Sequence, residues 1–77
     1  MIPTRQKPLE RNEKLKFKIP IDSEAWIFEF DKIIEERCDQ FDYELEEEGY
    51  IIISQELTPA AVSIFNYKVI AFRKEDR

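Results

Sequence analysis

Residues 23–38 read SEAWIFEFDKIIEERC, and the spacing of their apolar side chains is the strongest pattern in the chain. Asp22 or Ser23 suits the N-cap of a helix, and Glu24 would lie in the first turn, where a negative charge complements the helix dipole. The stretch therefore predicts one amphipathic helix over about residues 23–38. The apolar face of this helix would consist of Trp26, Ile27, Phe30, Ile33, Ile34 and Cys38.

The segment before this helix alternates in polarity. Residues 14–21 read KLKFKIPI, so apolar residues alternate with three lysines and Pro20. A period of two predicts a half-buried strand. Because Pro20 cannot donate a hydrogen bond to a neighbouring strand, we expect the end of this strand at an edge or an exit of the sheet.

Two further strands are predicted after the helix. Residues 41–46 read FDYELE, and their alternation predicts a strand with an acidic outer face. Gly49 is the only glycine in the chain, and we expect it to take a positive φ in the turn that follows. Residues 50–53, YIII, are typical of a central strand, so the two strands are predicted to form a hairpin.

The C-terminal third of the chain supports two interpretations. Thr58 and Pro59 resemble an N-cap followed by proline at the first helical position, which predicts a short helical turn at residues 58–62. Residues 64–73 are rich in β-formers and predict a last strand. A single helix over residues 58–74 is the alternative, because apolar residues also recur there at helical spacing.

This order of elements predicts a small two-layer α+β domain, β-α-β-β-(short helical turn)-β, with one main helix packed on a three- to four-stranded sheet. The alternative with a C-terminal helix is a truncated ferredoxin-like β-α-β-β-α arrangement. Residues 1–12 are predicted to be an extended or disordered basic arm, and residues 13–77 a single domain. The predicted core consists of Phe17, Ile19, Trp26, Ile27, Phe30, Ile33, Ile34, Tyr43, Leu45, Ile51, Ile53, Phe65 and Val69.

Charge is distributed unevenly along the chain. Residues 1–18 carry six lysines and arginines against two glutamates, whereas residues 22–56 carry thirteen acidic residues against two basic ones. Because phosphate contacts need positive potential, this acidic body opposes direct binding of nucleic acid. Lys14, Lys16 and Lys18 are expected to pair across strands with Asp42, Glu44 or Glu46. The alternative is that the basic arm lies on the acidic body of a second copy.

The residue types needed by several kinds of reactive site are scarce. The chain has no histidine, one cysteine and one glycine. These counts exclude an intrachain disulfide, a cysteine-rich zinc site and a glycine-rich phosphate-binding loop. Cys38 is interpreted as a buried, inert thiol. No catalytic residue, cofactor or metal ligand is predicted.

Carboxylates on the predicted acidic strand are weaker candidates for a cation site or for acid–base catalysis. Asp42, Glu44 and Glu46 would project from one strand face, and alternate residues there lie roughly 6.5–7 Å apart. That separation is too large for them to converge on one Ca²⁺ or Mg²⁺ unaided. We interpret these residues as a solvated face that protects a sheet edge.

The sequence is most consistent with a non-enzymatic protein-interaction module that forms a homodimer, because a thin core gains stability from association. One alternative is an acidic inhibitor or regulator that binds a basic protein surface, and another is a small ligand-binding or metal-dependent enzyme domain. With one thiol, no export signal and no long apolar run, the chain is expected in the cytoplasm, away from membranes. The candidate interaction surface consists of Phe28, Asp42, Glu44, Glu46 and Tyr67.

Overall fold

The computed structural model describes residues 4–74. Its strands form one four-stranded antiparallel sheet, and two helices accompany it. The α+β class and the four-stranded sheet are therefore confirmed. The elements are β1 (Thr4–Pro8), α1 (Arg11–Lys16), β2 (Ser23–Ile33), α2 (Arg37–Glu47), β3 (Ile51–Ala61) and β4 (Ile64–Lys74). The order of the strands in the sheet is β1-β2-β4-β3.

Residues 23–33 form a central strand, so the predicted helix over residues 23–38 is wrong. Burial of β2 on both faces, together with a β-bulge, explains the helix-like spacing. The register against β4 shifts between Phe30 and Ile33, and Lys32 adopts a φ of 56°. The Lys32 N–H donates to Asn66 Oδ1 at 3.1 Å. Because the bulge adds one residue, Phe30 and Ile33 enter the same core cluster although they are three positions apart.

Two segments predicted as strands contain helices. Residues 41–46 lie within α2, where Phe41 and Leu45 are buried one turn apart. Residues 14–21 begin in α1 and continue as the connection to β2. The predicted hairpin between residues 41 and 53 is therefore wrong, because its first half is helical.

The end of α2 explains the single glycine. The Tyr50 N–H donates to the Leu45 carbonyl at 3.1 Å, and the Gly49 N–H donates to the Glu46 carbonyl at 3.0 Å. These two bonds form a Schellman motif, which needs a left-handed residue between helix and strand. Gly49 has a φ of 93°, so its predicted positive φ is confirmed, although it caps a helix.

The C-terminal segment is a β-hairpin. Strand β4, Ile64–Lys74, confirms the strand predicted at residues 64–73 and excludes the alternative helix over residues 58–74. The helical turn predicted at residues 58–62 is wrong, because β3 continues to Ala61. Strand β3 is also an edge strand, not the central strand that its first residues predicted.

The two faces of the sheet are covered differently. Helix α2 packs over one face, whose core contains Phe28, Phe30, Ile33, Phe41, Leu45, Tyr67, Val69 and Ala71. Segments on either side of α1 cover part of the other face, whose core contains Leu9, Ile19, Ala25, Ile27 and Ile70. Six predicted core residues are confirmed as buried: Ile19, Ile27, Phe30, Ile33, Leu45 and Val69. Four others are exposed: Phe17, Ile34, Tyr43 and Ile51.

The N-terminal segment is part of the sheet from Thr4 onwards. Strand β1 pairs with β2, placing Pro8 opposite Trp26, and Leu9 follows as a buried residue. Residues 4–8 are thus extended and paired, and α1 begins at Arg11, within the predicted arm. Residues 1–3 of that arm lie outside the described residues. Among residues 4–74, neither helix has the length and apolar character needed to cross a membrane.

Candidate functional site

Two of the five predicted surface residues are buried. Phe28 is only 2% exposed, because strand alternation places it under α2, where its ring meets Tyr50 edge-on at 5.1 Å. Tyr67 is 4% exposed and lies opposite Phe30 in the sheet. Phe28 is therefore a core residue and does not belong to an interaction surface.

The three predicted carboxylates lie on α2, and Glu44 points away from the side that carries Asp42 and Glu46. Residues two positions apart on a helix are separated by about 200° around its axis. Asp42 faces the groove towards β3 and β4, whereas Glu44 lies near Thr4 at the β1 side. Glu46 is exposed beside Tyr43. The structure therefore separates Asp42 from Glu44 and brings Asp42 together with Tyr67.

A closed hydrogen-bond network joins α2 to the two C-terminal strands. The Tyr67 hydroxyl donates to Asp42 Oδ1 at 2.6 Å. The Gln55 side-chain amide donates to Asp42 Oδ2 at 2.7 Å and to the Tyr67 hydroxyl at 3.0 Å. Sequence patterns gave no signal for Gln55, because it meets Asp42 and Tyr67 only once the strands have paired and α2 has packed on them. Periodicity does not reveal such long-range contacts. This network fixes α2 against the sheet.

The network lies in an acidic groove of about 530 Å³. Carboxylates from the β2–α2 connection and from α2 surround its opening. We call this site the acidic groove; its lining residues are Glu35, Glu36, Cys38, Asp39, Asp42, Gln55, Leu57 and Tyr67.

The acidic groove disfavours nucleophilic chemistry. Burial raises the pKa of the Cys38 thiol, and the negative charges of Asp42 and two other carboxylates raise it further. A raised pKa keeps the thiol protonated, whereas a reactive cysteine needs the thiolate. Burial and the hydrogen bond to Asp42 likewise raise the pKa of Tyr67, so its hydroxyl keeps its proton.

The acidic groove has neither a group of metal ligands nor an ion pair among residues 4–74. Within residues 4–74, no group of three or more His, Cys, Asp or Glu side chains is arranged to hold a metal ion. The ion pairs of that part of the chain join Arg5 to Glu29 and Asp31, and Lys68 to Glu56. None of these ion pairs involves a carboxylate of α2.

The outer edge of β3 is a second candidate surface. This strand has eleven residues, and Glu56 is its only charged side chain. Ile51 and Leu57 are 57% and 36% exposed. Sequence analysis missed this edge because it predicted a central strand there. A long, weakly charged edge is a template for pairing with another strand.

Comparison with models of protein families finds no match for this chain, and comparisons with curated proteins and with solved structures find no significant similarity.

Proposed function

We propose that this chain is a non-enzymatic protein-interaction domain that forms a symmetric homodimer through the outer edge of β3, in a reducing compartment such as the cytoplasm. The observation that supports this proposal is that β3 lies at the edge of the sheet, with no neighbouring strand on its outer side among residues 4–74. Its backbone groups face outward beside exposed Ile51 and Leu57. Pairing with a second copy would satisfy these groups and cover apolar surface.

The other edge of the sheet is protected against the same kind of pairing. Within residues 4–74, strand β1 has the sequence TRQKP, so it carries two cations and a proline. Charge and proline are features that blunt natural sheet edges. Strand β3 has eleven residues with one charged side chain, Glu56, and it has Pro59 near its end and bulges near Ile53 and Ala60. The regular stretch before Pro59, residues 54–58, is the part expected to pair.

Charge selects one register for this dimer. A two-fold axis at Glu56 would place two carboxylates opposite each other, which is unfavourable. An axis at Leu57 instead places Leu57 opposite Leu57 of the partner subunit and Glu56 opposite Thr58 of the partner subunit. This register also brings two exposed apolar side chains together.

Disulfide crosslinking tests the edge and its register. In a Cys38→Ser background, Leu57→Cys is expected to give a covalent dimer under mild oxidation, because directly opposed strand residues lie about 5 Å apart. The matched control is Val62→Cys, which is 93% exposed but far from its own symmetry mate in this register. A monomer at micromolar concentration by light scattering, or equal crosslinking of both variants, would rule out the proposed dimer.

A second candidate function is supported by the acidic surface of α2. Because its carboxylates have no cationic partner among residues 4–74, they are available to a basic surface of another protein. Binding of a lysine-rich peptide should weaken steeply with salt, and Glu44→Lys with Glu46→Lys should abolish it. Salt-independent binding, or binding unchanged by the reversals, would contradict this candidate.

A further inference from the structure

An apolar groove of about 370 Å³ lies beside α1. Its floor is formed by Leu9 and Ile19, each 4% exposed. Its walls are formed by Leu15 and Ile21, which are 65% and 79% exposed. Two large aliphatic side chains exposed around a recessed apolar floor form a concave site that a third apolar side chain can fill.

The rim of this α1 groove is cationic. Arg11 and Lys14 line it from one side of α1, three residues apart. Lys14 Nζ donates to the Ser23 carbonyl at 2.9 Å, which holds this cation beside the groove. Within residues 4–74, neither Arg11 nor Lys14 forms an ion pair. The rim can therefore receive carboxylates from a ligand.

We propose that the α1 groove binds an acidic amphipathic segment of another protein. A large apolar side chain of that segment would enter the groove, and flanking carboxylates would contact Arg11 and Lys14. Charge complementarity selects this partner, because an apolar ligand without negative charge would leave the rim unused. The groove shares no residue with the β3 edge, so this interaction is independent of the proposed dimer.

The shape and charge of the molecule favour a peptide over a membrane surface. A flat bilayer contacts protruding side chains and would leave the recessed Leu9 and Ile19 unfilled. The formal net charge of −5 also opposes approach to an anionic bilayer. A peptide side chain can fill the recess without bringing the acidic face of the domain close to other negative charges.

The experiment uses a fluorescein-labelled, glutamate-rich peptide of about twelve residues, with leucines at helical spacing. Its anisotropy is measured against the full-length chain. We expect saturable binding that weakens about tenfold in Leu15→Ser and again in Arg11→Glu. Val62→Ser and Lys32→Glu are matched controls that alter exposed residues at the far end of the sheet from this groove, and they should leave affinity unchanged.

Two further arms discriminate among the alternative occupants. A peptide with serine in place of leucine should bind weakly; equal binding would show that charge alone acts and would overturn the proposal. Any binding to phosphatidylserine vesicles should be the same in the wild type and in Leu15→Ser. Vesicle binding that is lost in Leu15→Ser, without any peptide binding, would also overturn the proposal. Repeating the titration with Leu57→Lys separates the proposals, because peptide binding should persist when the proposed dimer is disrupted.

Discussion

At the residue scale, both helices end in a Schellman motif, but the position of positive φ is occupied by lysine after α1 and by glycine after α2. After α1, the Ile19 N–H donates to the Lys14 carbonyl at 3.0 Å, and the Lys18 N–H donates to the Leu15 carbonyl at 3.2 Å. Lys18 therefore occupies the position that Gly49 occupies after α2, and its φ is 58°. A side chain in this left-handed region costs about 1 kcal/mol.

The first prediction follows from this strain: Lys18→Gly should stabilise the folded protein. Glycine adopts a positive φ without a steric penalty, although it also increases the conformational freedom of the unfolded chain. We expect a net gain of about 0.5 kcal/mol in the free energy of unfolding. Urea denaturation measures this gain, and a loss of stability would show that the Lys18 side chain contributes contacts that outweigh the strain.

The second prediction is the reverse change at α2. Nothing lies within 4 Å of a Cβ built on Gly49, so an alanine would meet no steric contact there. The penalty of Gly49→Ala is therefore that of the backbone alone, and we expect a destabilisation of about 1 kcal/mol. Gly49→Asn, which tolerates this conformation better, should recover part of the loss in the same urea titration. An unchanged midpoint for Gly49→Ala would contradict the assigned cap.

The third prediction concerns alkaline pH. The pKa of Tyr67 is raised in the folded state, mainly by burial and then by Asp42, above its unfolded value near 10. Its contribution to stability is present below that unfolded pKa and is lost as pH rises above it, because only the unfolded state releases the proton. The free energy of unfolding should therefore fall more steeply above about pH 10 in the wild type than in Tyr67→Phe. If the free energy of unfolding falls equally with pH in the wild type and in Tyr67→Phe, the ionisation of Tyr67 is not coupled to unfolding.

At the element scale, the sequence pattern predicted the α+β class correctly but assigned a helix to the residues of β2 and a strand to residues within α2. Burial on both faces and the bulge near Lys32 gave β2 a helix-like spacing, and the bulge is recognisable only once Asn66 of β4 is known to bond it. In α2, Phe41, Tyr43 and Leu45 alternate in sequence, yet Tyr43 is 63% exposed while the other two are buried. Periodicity over six residues cannot distinguish these patterns, because burial depends on long-range pairing.

The fourth prediction tests the bulge itself. Asn66→Ala removes the acceptor of the Lys32 N–H, so we expect a destabilisation of about 1 kcal/mol. Asn12→Ala is the matched control, because Asn12 is exposed and accepts only the N–H of its neighbour Glu13. Both variants are compared by thermal unfolding. If Asn66→Ala costs no more stability than Asn12→Ala, the side chain of Asn66 does not support the bulge.

At the scale of the whole molecule, the sheet lies between the acidic and basic surfaces that the sequence predicted to pair. Helix α2 covers one face, while α1 and its cations belong to the other. The expected contact of Lys14 with strand carboxylates is absent from residues 4–74, and Lys14 instead bonds the Ser23 carbonyl. Composition revealed the two charged regions, but their separation depends on the pairing of β1 with β2, which links residues distant in sequence.

The fifth prediction is that the melting temperature rises with protein concentration. Because dimerisation through the β3 edge would bind only folded chains, association adds to the stability of the folded state. Each tenfold rise in concentration above the dissociation constant should add about 0.7 kcal/mol per chain, or roughly 3–6 °C for a domain of this size.

The matched variant for this measurement is Leu57→Lys, which places like charges opposite each other in the proposed register while Leu57 is already 36% exposed in the single chain. Its melting temperature should be independent of concentration and should equal that of the wild type at high dilution. If the variant and the wild type show the same concentration dependence, self-association uses another surface. If neither shows any, the thin core is stable alone and the β3 edge remains available to a strand of a different protein.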